Sequence, residues 1–217
     1  MKRVSSDKYT VAWFKLSECI ARGEKERALG MYRLLAHSLD NAAFSKQLEG
    51  DILLFFNDTI AYDKYREAVK IYLEQQRFLE AAMIYEHLLS IGIKPSDNYL
   101  IELIEWYSRL QLHDKVKHYA MQSINELGKA NNWKELLQNI ELLSSYVNNS
   151  LIFELRQIIV EAAITHNASE EVAMKFIFDF LTILVAVNDV HSMQRLLSFL
   201  RTAHPEYYEK ACIYIKR

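Results

Sequence analysis

Apolar residues recur at intervals of three and four positions along almost the whole chain, which is the period of an amphipathic α-helix. The pattern predicts about twelve helices, and no segment shows the alternation that is typical of a strand. Their approximate ranges are 6–22, 24–38, 41–56, 59–75, 78–91, 97–110, 113–129, 132–147, 149–166, 169–187, 189–202 and 205–215. The links between them are about two to six residues long, so successive helices must pack antiparallel.

Residues that begin or end helices stand at the predicted breaks. Side chains that can cap the following helix are Asp40-Asn41, Asn57-Asp58, Ser96-Asp97, Asn148-Asn149 and Ser169. The clearest stop is the segment from Ile91 to Pro95, where Gly92 ends one helix and the proline prevents its continuation. The chain has only five glycines and two prolines, and this scarcity of turn residues favours long helices with short connections.

A small residue followed four positions later by a tyrosine occurs four times in the first 90 residues. The pairs are Ala28/Tyr32, Ala61/Tyr65, Ala68/Tyr72 and Ala81/Tyr85. Ala28 and Ala61 are 33 positions apart, which is the length of one helix-turn-helix unit, and repetition at this length indicates a solenoid. The small residue permits two helices to approach closely, and the tyrosine fills the groove one turn later on the same face.

The segment from Tyr65 to Leu88 resembles a tetratricopeptide repeat. Its pattern consists of Tyr65, Ala68, Val69 and Tyr72 on a first helix and Ala81, Tyr85 and Leu88 on a second. Residues 9–40 give a weaker match with Gly23 in the turn, and residues 97–124 give another with Val116 where alanine is usual. The helix at 59–75 fits either as the second helix of one unit or as the first of the next.

The resemblance implies an all-α fold in which antiparallel helix-turn-helix pairs stack as a short right-handed α-solenoid. Residues 1–130 would form degenerate repeats, and residues 131–217 would continue them with further helical pairs and a C-terminal capping helix. The first helices of the pairs would line a concave groove that binds a partner. Its positions would be Trp13, Ser17, Arg66, Lys70, Glu74, Asn98, Glu105 and Arg109. Glu105 would repel an acid there, so the family's clamp for a C-terminal carboxylate is not expected.

The amino-acid composition argues against several classes of function. The net charge is −2 and acids and bases are interleaved, so no basic stripe is present to neutralise a phosphate backbone, and we expect no nucleic acid. Cys19 and Cys212 are far apart and indicate neither a disulfide framework nor a zinc site. No N-terminal apolar run indicates a signal peptide, and the most apolar segment, 174–187, is too short to span a bilayer. We therefore expect a cytoplasmic protein that does not insert into membranes.

Few residues in the sequence are candidates for a catalytic or metal-binding site. No phosphate loop, dinucleotide fingerprint, HExxH motif or EF-hand loop occurs. His113 and His118 lie on different sides of their helix and predict no shared metal, while Cys19 is expected to be a small core residue. Asp179 lies within an apolar helix and is expected to be hydrogen-bonded or partly exposed. We predict that the aromatic residues pack in the core, namely Trp13, Phe14, Trp106, Tyr107 and Trp133.

These observations favour a non-enzymatic protein-interaction module without a cofactor, acting as an adaptor, a scaffold or a chaperone-like protein. Its concave face would bind a peptide or helix of a partner protein, and a homodimer is compatible with the sequence. The alternative is a helical-repeat RNA-binding protein, because repeats of about 35 residues also build that class. A third alternative, an α-helical enzyme, would need a site of scattered residues, and no constellation in the sequence indicates one.

The last segment, from His204, has the features of a capping helix. Pro205 suits a first helical turn, and an apolar stripe follows at steps of three and four. The stripe consists of Tyr208, Ala211, Cys212 and Ile215. We predict that it packs on the helix at 169–187 or on the next one, and the competing interpretation is an exposed stripe that makes a dimer.

Overall fold

The structure, a computed structural model, describes residues 5–144 and 149–216. Within these residues the chain forms twelve α-helices and no strand, as the periodicity predicts. The helices are α1 (Ser5–Ala21), α2 (Lys25–Ala36), α3 (Ala42–Phe55), α4 (Ile60–Glu74), α5 (Phe78–Ser90), α6 (Tyr99–Arg109), α7 (His113–Lys129), α8 (Trp133–Ser144), α9 (Asn149–Thr165), α10 (Glu170–Ala186), α11 (Val190–Ala203) and α12 (Pro205–Ile215). The predicted extension of α8 to residue 147 lies outside the described residues.

Contacts between Cα atoms divide the chain into two compact units, Met1–Asp97 and Asn98–Arg217. In the first unit each helix packs on the next one in sequence, from α1 to α5, and the α3–α4 pair is the most extensive. In the second unit α6 packs on α7, α7 contacts α8 and α9, and α9 packs on α10. The last helix, α12, packs on both α10 and α11.

Eight of the turns that the structure describes share one geometry. In each, the residue after the helix has a positive φ, and the next N–H donates to the carbonyl five positions earlier, which together define a Schellman motif. The residues with positive φ are Gly23, Asn57, Gln76, Gly92, Gln111, Asn131, Asn167 and Asn188. Gly23 and Gly92 were expected there, whereas the six amide residues were not. Asparagine tolerates this left-handed conformation better than most residues do.

The N-terminal caps agree with the sequence in part. Asn41 accepts from the Phe44 N–H at 3.1 Å, and Ser169 accepts from the Val172 N–H at 3.4 Å, as predicted. The predicted Ser96-Asp97 cap is too early, because α6 begins at Tyr99, two residues after its predicted start, and its N-cap is Asn98, which makes no side-chain capping bond. Asp58 accepts from the Ile60 N–H at the start of α4. Asp189, which was not predicted as a cap, accepts from the Ser192 N–H and caps α11. The predicted cap at Asn148 lies outside the described residues.

The four small-residue and tyrosine pairs are all buried. Each alanine of the pairs is 0% exposed, and the tyrosines are between 1% and 7% exposed. The phenol groups reach the neighbouring helix, because the hydroxyl of Tyr32 donates to the Ser45 carbonyl at 2.9 Å and that of Tyr72 donates to Gln47 at 3.1 Å. The repeated step therefore marks helix contacts, as the sequence predicts.

The remaining core predictions are confirmed except at one aromatic residue. Trp106, Tyr107 and Trp133 are buried, and Trp13 is half-buried. Phe14 is 72% exposed, so its predicted core position is wrong. Leu16 of α1 is buried in the core. Phe14 lies two positions before Leu16, and helical side chains two positions apart project from different sides of the helix. Asp179 is exposed, and Cys19 packs as a half-buried residue against the core of α1 to α3.

The C-terminal helix packs as predicted on both candidate helices. Ala211 is 0% exposed, while Tyr208, Cys212 and Ile215 are half-buried. The structure also buries Tyr207 and stacks Tyr214 on Phe178 of α10, with ring centroids 4.4 Å apart. The buried side of α12 is thus centred one position earlier than the predicted stripe.

Candidate functional site

The predicted groove positions fall on three helices and one turn. In the first unit, Trp13 and Ser17 lie on α1, and the Ser17 hydroxyl donates to the Trp13 carbonyl at 3.1 Å. Lys70 and Glu74 are exposed on α4. Arg66, also on α4, pairs with Asp63 at 3.3 Å and lines a small cavity of about 160 Å³.

The other three predicted positions belong to the second unit. Asn98 is exposed immediately before α6. Glu105 and Arg109 lie one turn apart on α6 and form an ion pair at 2.8 Å. Pairing of this kind along one helix stabilises the helix by a few tenths of a kcal/mol and requires no ligand. The binding role of all eight positions stays a prediction.

A larger cavity than the one beside Arg66 lies elsewhere in the first unit, in a groove between α3 and α5. We call it the α3/α5 groove. It is lined by Gln47, Asp51, Leu54, Phe55, Tyr65, Met83, Ile84 and His87. Its volume is about 570 Å³. Because α4 packs on both α3 and α5, its residue Tyr65 reaches the floor, and the other two helices supply the walls.

Apolar side chains stand exposed on both walls of the α3/α5 groove. Phe55 on α3 is 58% exposed and Met83 on α5 is 59% exposed. Single exposed apolar residues are common on protein surfaces, but here two of them line one concavity together with the half-buried Leu54. Concave surfaces lined mainly by apolar groups with a few polar ones are the usual form of binding sites.

The polar groups of the groove are connected through Tyr65. Its hydroxyl donates to Asp51 Oδ1 at 2.6 Å, and the ring of His87 lies edge-on to the phenol ring at a centroid distance of 5.9 Å. Burial, and then this hydrogen bond to a carboxylate, raise the pKa of Tyr65 far above its ordinary value. Asp51 itself is exposed and makes no ion pair with any residue that the structure describes. The groove therefore presents one accessible negative charge beside apolar surface.

The lining of the α3/α5 groove suits binding more than chemical reaction. It contains neither lysine nor arginine, so it offers no charge for a phosphate. It also contains no serine, threonine or cysteine that could serve as a nucleophile beside His87.

Other candidate residues are not brought together. His113 and His118 are both exposed on α7, and no group of three or more His, Cys, Asp or Glu with metal-binding geometry occurs in residues 5–144 and 149–216. Among the helices of those same residues, none has the length and apolar character needed to cross a membrane.

The sequence contained a signal for this groove that the repeat pattern obscured. Gln47, Asp51 and Leu54 follow one another at steps of four and three, which places them on one side of α3. The repeat pattern places the groove positions of this region, Arg66, Lys70 and Glu74, on α4, which carries the strongest repeat motif. The structure instead places α4 between the two helices that form the walls.

Comparisons with known proteins give no relative for this chain. No protein-family model matches it, and neither a curated protein nor a solved structure matches it. The resemblance to tetratricopeptide repeats therefore rests on the residues quoted above, and the candidate site rests on its own geometry.

Proposed function

We propose that the protein is a non-enzymatic interaction module, an adaptor or scaffold, whose α3/α5 groove binds an apolar peptide or amphipathic helix of a partner protein. The observation that carries the proposal is the pair Phe55 and Met83. These side chains are 58% and 59% exposed on opposite walls of a groove of about 570 Å³. Apolar side chains of this kind are typical anchors for a helix or peptide bound in a groove.

The proposed architecture is a short right-handed α-solenoid similar to tetratricopeptide repeats. Sequential packing from α1 to α5 supports it. The spacing of the turns also supports it, because Gly23 and Asn57 are 34 positions apart and Asn57 and Gly92 are 35 apart. In a stack of helical pairs, alternate helices share a face. The helices α3 and α5 would then be first helices on the concave face, and the predicted positions Arg66, Lys70 and Glu74 of α4 would lie on a second helix.

The charge of the groove indicates the chemistry of the partner. Asp51 provides an accessible carboxylate beside Phe55 and Met83, with only the Tyr65 hydroxyl as a described partner. A bound segment that carries a lysine or arginine among apolar side chains would complement this charge and bury the apolar walls. An acidic segment would meet repulsion from the same carboxylate.

RNA binding ranks below this proposal because no lysine or arginine lines the groove and RNA recognition requires contacts to phosphates. Catalysis ranks lower still, since His87 has no nucleophile beside it in the groove lining. A cytoplasmic location remains part of the proposal.

Site-specific photocrosslinking tests the proposed site. A benzophenone side chain is introduced at Met83, and as a matched control at Met121, a 38% exposed methionine of α7. Crosslinked material from a native lysate is digested and the attached peptide is identified by mass spectrometry. We expect position 83 to capture one or a few protein segments that carry a basic residue among apolar ones.

The captured segment is then synthesised and its affinity measured by calorimetry. We expect Met83→Glu to weaken binding at least about tenfold, because it adds a second carboxylate to the groove, and Met121→Glu to leave it unchanged. Equal capture at both positions, or capture of RNA at position 83, would refute the proposal.

A further inference from the structure

The small cavity beside Arg66 lies between α4, α5 and the segment that follows α5. We call it the α4/α5 cavity, and its volume is about 160 Å³. It is more enclosed than the α3/α5 groove, and Tyr65 lines both. The α4/α5 cavity is lined by Tyr62, Tyr65, Arg66, Val69, Tyr85, Leu88, Ile93, Lys94 and Pro95. A ligand in this cavity would be surrounded on several sides.

Three segments of the first unit supply the lining. The four residues of α4, from Tyr62 to Val69, recur at steps of three and four, which places them on one side of the helix. Tyr85 and Leu88 are three positions apart on α5 and are both buried. The Schellman turn at Gly92 ends α5, and the residues directly after it supply the remaining side.

The α4/α5 cavity combines apolar surface with positive charge. Val69, Leu88 and Pro95 are buried and contribute apolar surface. Arg66 and Lys94 are exposed, and the lining contains no acidic residue. The charges therefore stand at the mouth of the cavity and the apolar groups lie deeper. This arrangement complements a ligand with an apolar body and an anionic end.

The ion pair that Arg66 makes within the chain is weak enough to be exchanged for a ligand. Its Nη1 donates to Asp63 Oδ1 at 3.3 Å, and both side chains are 67% exposed. Exposed pairs of this kind contribute little to stability. A ligand carboxylate can instead accept two parallel N–H bonds from the guanidinium group, which is the stronger geometry. The Tyr62 hydroxyl has no hydrogen-bond partner in the part of the chain that the structure describes, and it is a further donor in the lining.

We propose that the α4/α5 cavity binds a small aromatic monocarboxylate, with its ring among the apolar residues and its carboxylate on Arg66. An apolar cavity of about 150 Å³ binds benzene, so one ring matches this volume. Sites for drug-sized ligands begin at roughly 300 Å³, which argues against a larger molecule. A phosphate carries up to about two negative charges, whereas Arg66 already shares its charge with Asp63, so a singly charged carboxylate is the better match.

This proposal does not depend on the function proposed for the α3/α5 groove, and its probe is benzoate. The full chain, labelled at the methyl groups of Ile, Leu and Val, is titrated with benzoate and followed by NMR. We expect a Kd of about 1 mM or tighter. The methyl signals of Val69, Leu88 and Ile93 should shift because these residues line the cavity. Val185, a 52% exposed residue of α10, should not respond.

Two changes of charge are expected to move the affinity in opposite directions. Arg66→Gln removes the cation and should weaken benzoate binding at least about tenfold. Asp63→Asn releases Arg66 from its present partner and should tighten binding by up to about fivefold. Arg27→Gln is the matched control and should change nothing, because Arg27 also pairs with an acid three positions earlier but lies outside the cavity. The unliganded spectrum of each variant reports its fold.

Two further ligands test the chemistry of the site. Benzamide has nearly the shape of benzoate without its charge, and we expect it to bind at least about tenfold more weakly. Phenyl phosphate is also expected to bind more weakly than benzoate. The proposal would be overturned by unshifted cavity methyl signals at about 20 mM benzoate, by equal affinities for benzoate and benzamide, or by tighter binding of phenyl phosphate. Equal effects of Arg66→Gln and Arg27→Gln would overturn it as well.

Discussion

The ring of Tyr65 in α4 lies directly against the backbone of Gly50 in α3. A Cβ added at Gly50 would stand 3.1 Å from the ring carbons Cδ1 and Cε1, a separation that side chains in packed proteins rarely reach. The glycine therefore makes room for the tyrosine. Because the Tyr65 ring is also the floor of the α3/α5 groove, the depth of the groove depends on this contact.

Substitution at Gly50 is expected to disturb both the fold and the groove. Gly50→Leu forces the Tyr65 ring away, and we expect the free energy of unfolding in urea to fall by about 1–3 kcal/mol through overpacking. Gly30→Leu is the matched control, since nothing lies within 4 Å of its added Cβ. Leucine is the better helix former, so the control is expected to be at least as stable as the parent. Equal losses at the two positions would contradict the assigned contact.

The small-residue and tyrosine pair on α5 gives a second prediction. Ala81 is 0% exposed, so Ala81→Leu should lower the free energy of unfolding by about 1–3 kcal/mol through overpacking. Tyr85 is 7% exposed, and Tyr85→Ala should cost about 3 kcal/mol because it leaves a cavity. Met83→Ala, at a 59% exposed position of the same helix, is the control and should change stability little. Parent-like unfolding of both core variants would show that these residues do not hold helices together.

Alkaline pH is expected to destabilise the second unit through Tyr99. Burial, and then the hydrogen bond that its hydroxyl donates to Glu126 at 3.1 Å, raise the pKa of Tyr99 to about 12. In the unfolded chain a tyrosine ionises near pH 10. The stabilisation that comes from keeping Tyr99 protonated in the folded protein is thus complete below pH 10 and is lost as pH rises toward 12. Between these pH values the free energy of unfolding in urea should decline less for Tyr99→Phe than for the parent. An identical decline in the two proteins would contradict the role assigned to Tyr99.

Removal of α12 is expected to expose apolar surface on α10 and α11. Tyr207 and Ala211 are buried against these helices, and Tyr214 covers Phe178. Deletion of residues 204–217 should therefore cause aggregation or a large fall in Tm, as expected for loss of a cap. A soluble monomer with the parent's Tm would instead favour the interpretation of α12 as a dimer patch. Ile213→Asp, at an exposed position of the same helix, serves as the control.

The helices could be predicted because their signals are local. The helix predicted at 59–75 is observed as Ile60–Glu74, since Ala61, Tyr65, Ala68 and Tyr72 repeat with helical period and are all buried. The turns were harder, because asparagine serves equally as the N-cap of the next helix and as the residue of positive φ that ends the previous one. Asn57 takes the second role with a φ of 55°.

The sequence places Gln47, Asp51 and Leu54 on one side of α3, but it does not identify that side as the wall of a groove, because this depends on which helices lie beside α4. The pattern of α4 shows burial on more than one side, as Ala61 and Val69 indicate, but periodicity does not identify the helix that covers each side. Phe55 and Met83 are exposed in one groove because of the way in which α3, α4 and α5 pack together, and the sequence of a single helix does not show this packing. The sequence gives no signal for Asp51 either, since its role in the groove depends on the hydrogen bond that it accepts from the Tyr65 hydroxyl at 2.6 Å.

The sequential packing of α1 to α5 also has a consequence for how the chain folds. The principal contacts among these five helices join helices that are neighbours in sequence and are separated by tight turns. Little chain entropy is lost before each contact forms, because every closed loop is short. Chains rich in such local contacts fold in microseconds to milliseconds. We therefore expect this region to fold quickly after synthesis, with helical hairpins such as α1–α2 and α3–α4 able to form before the rest of the chain is complete.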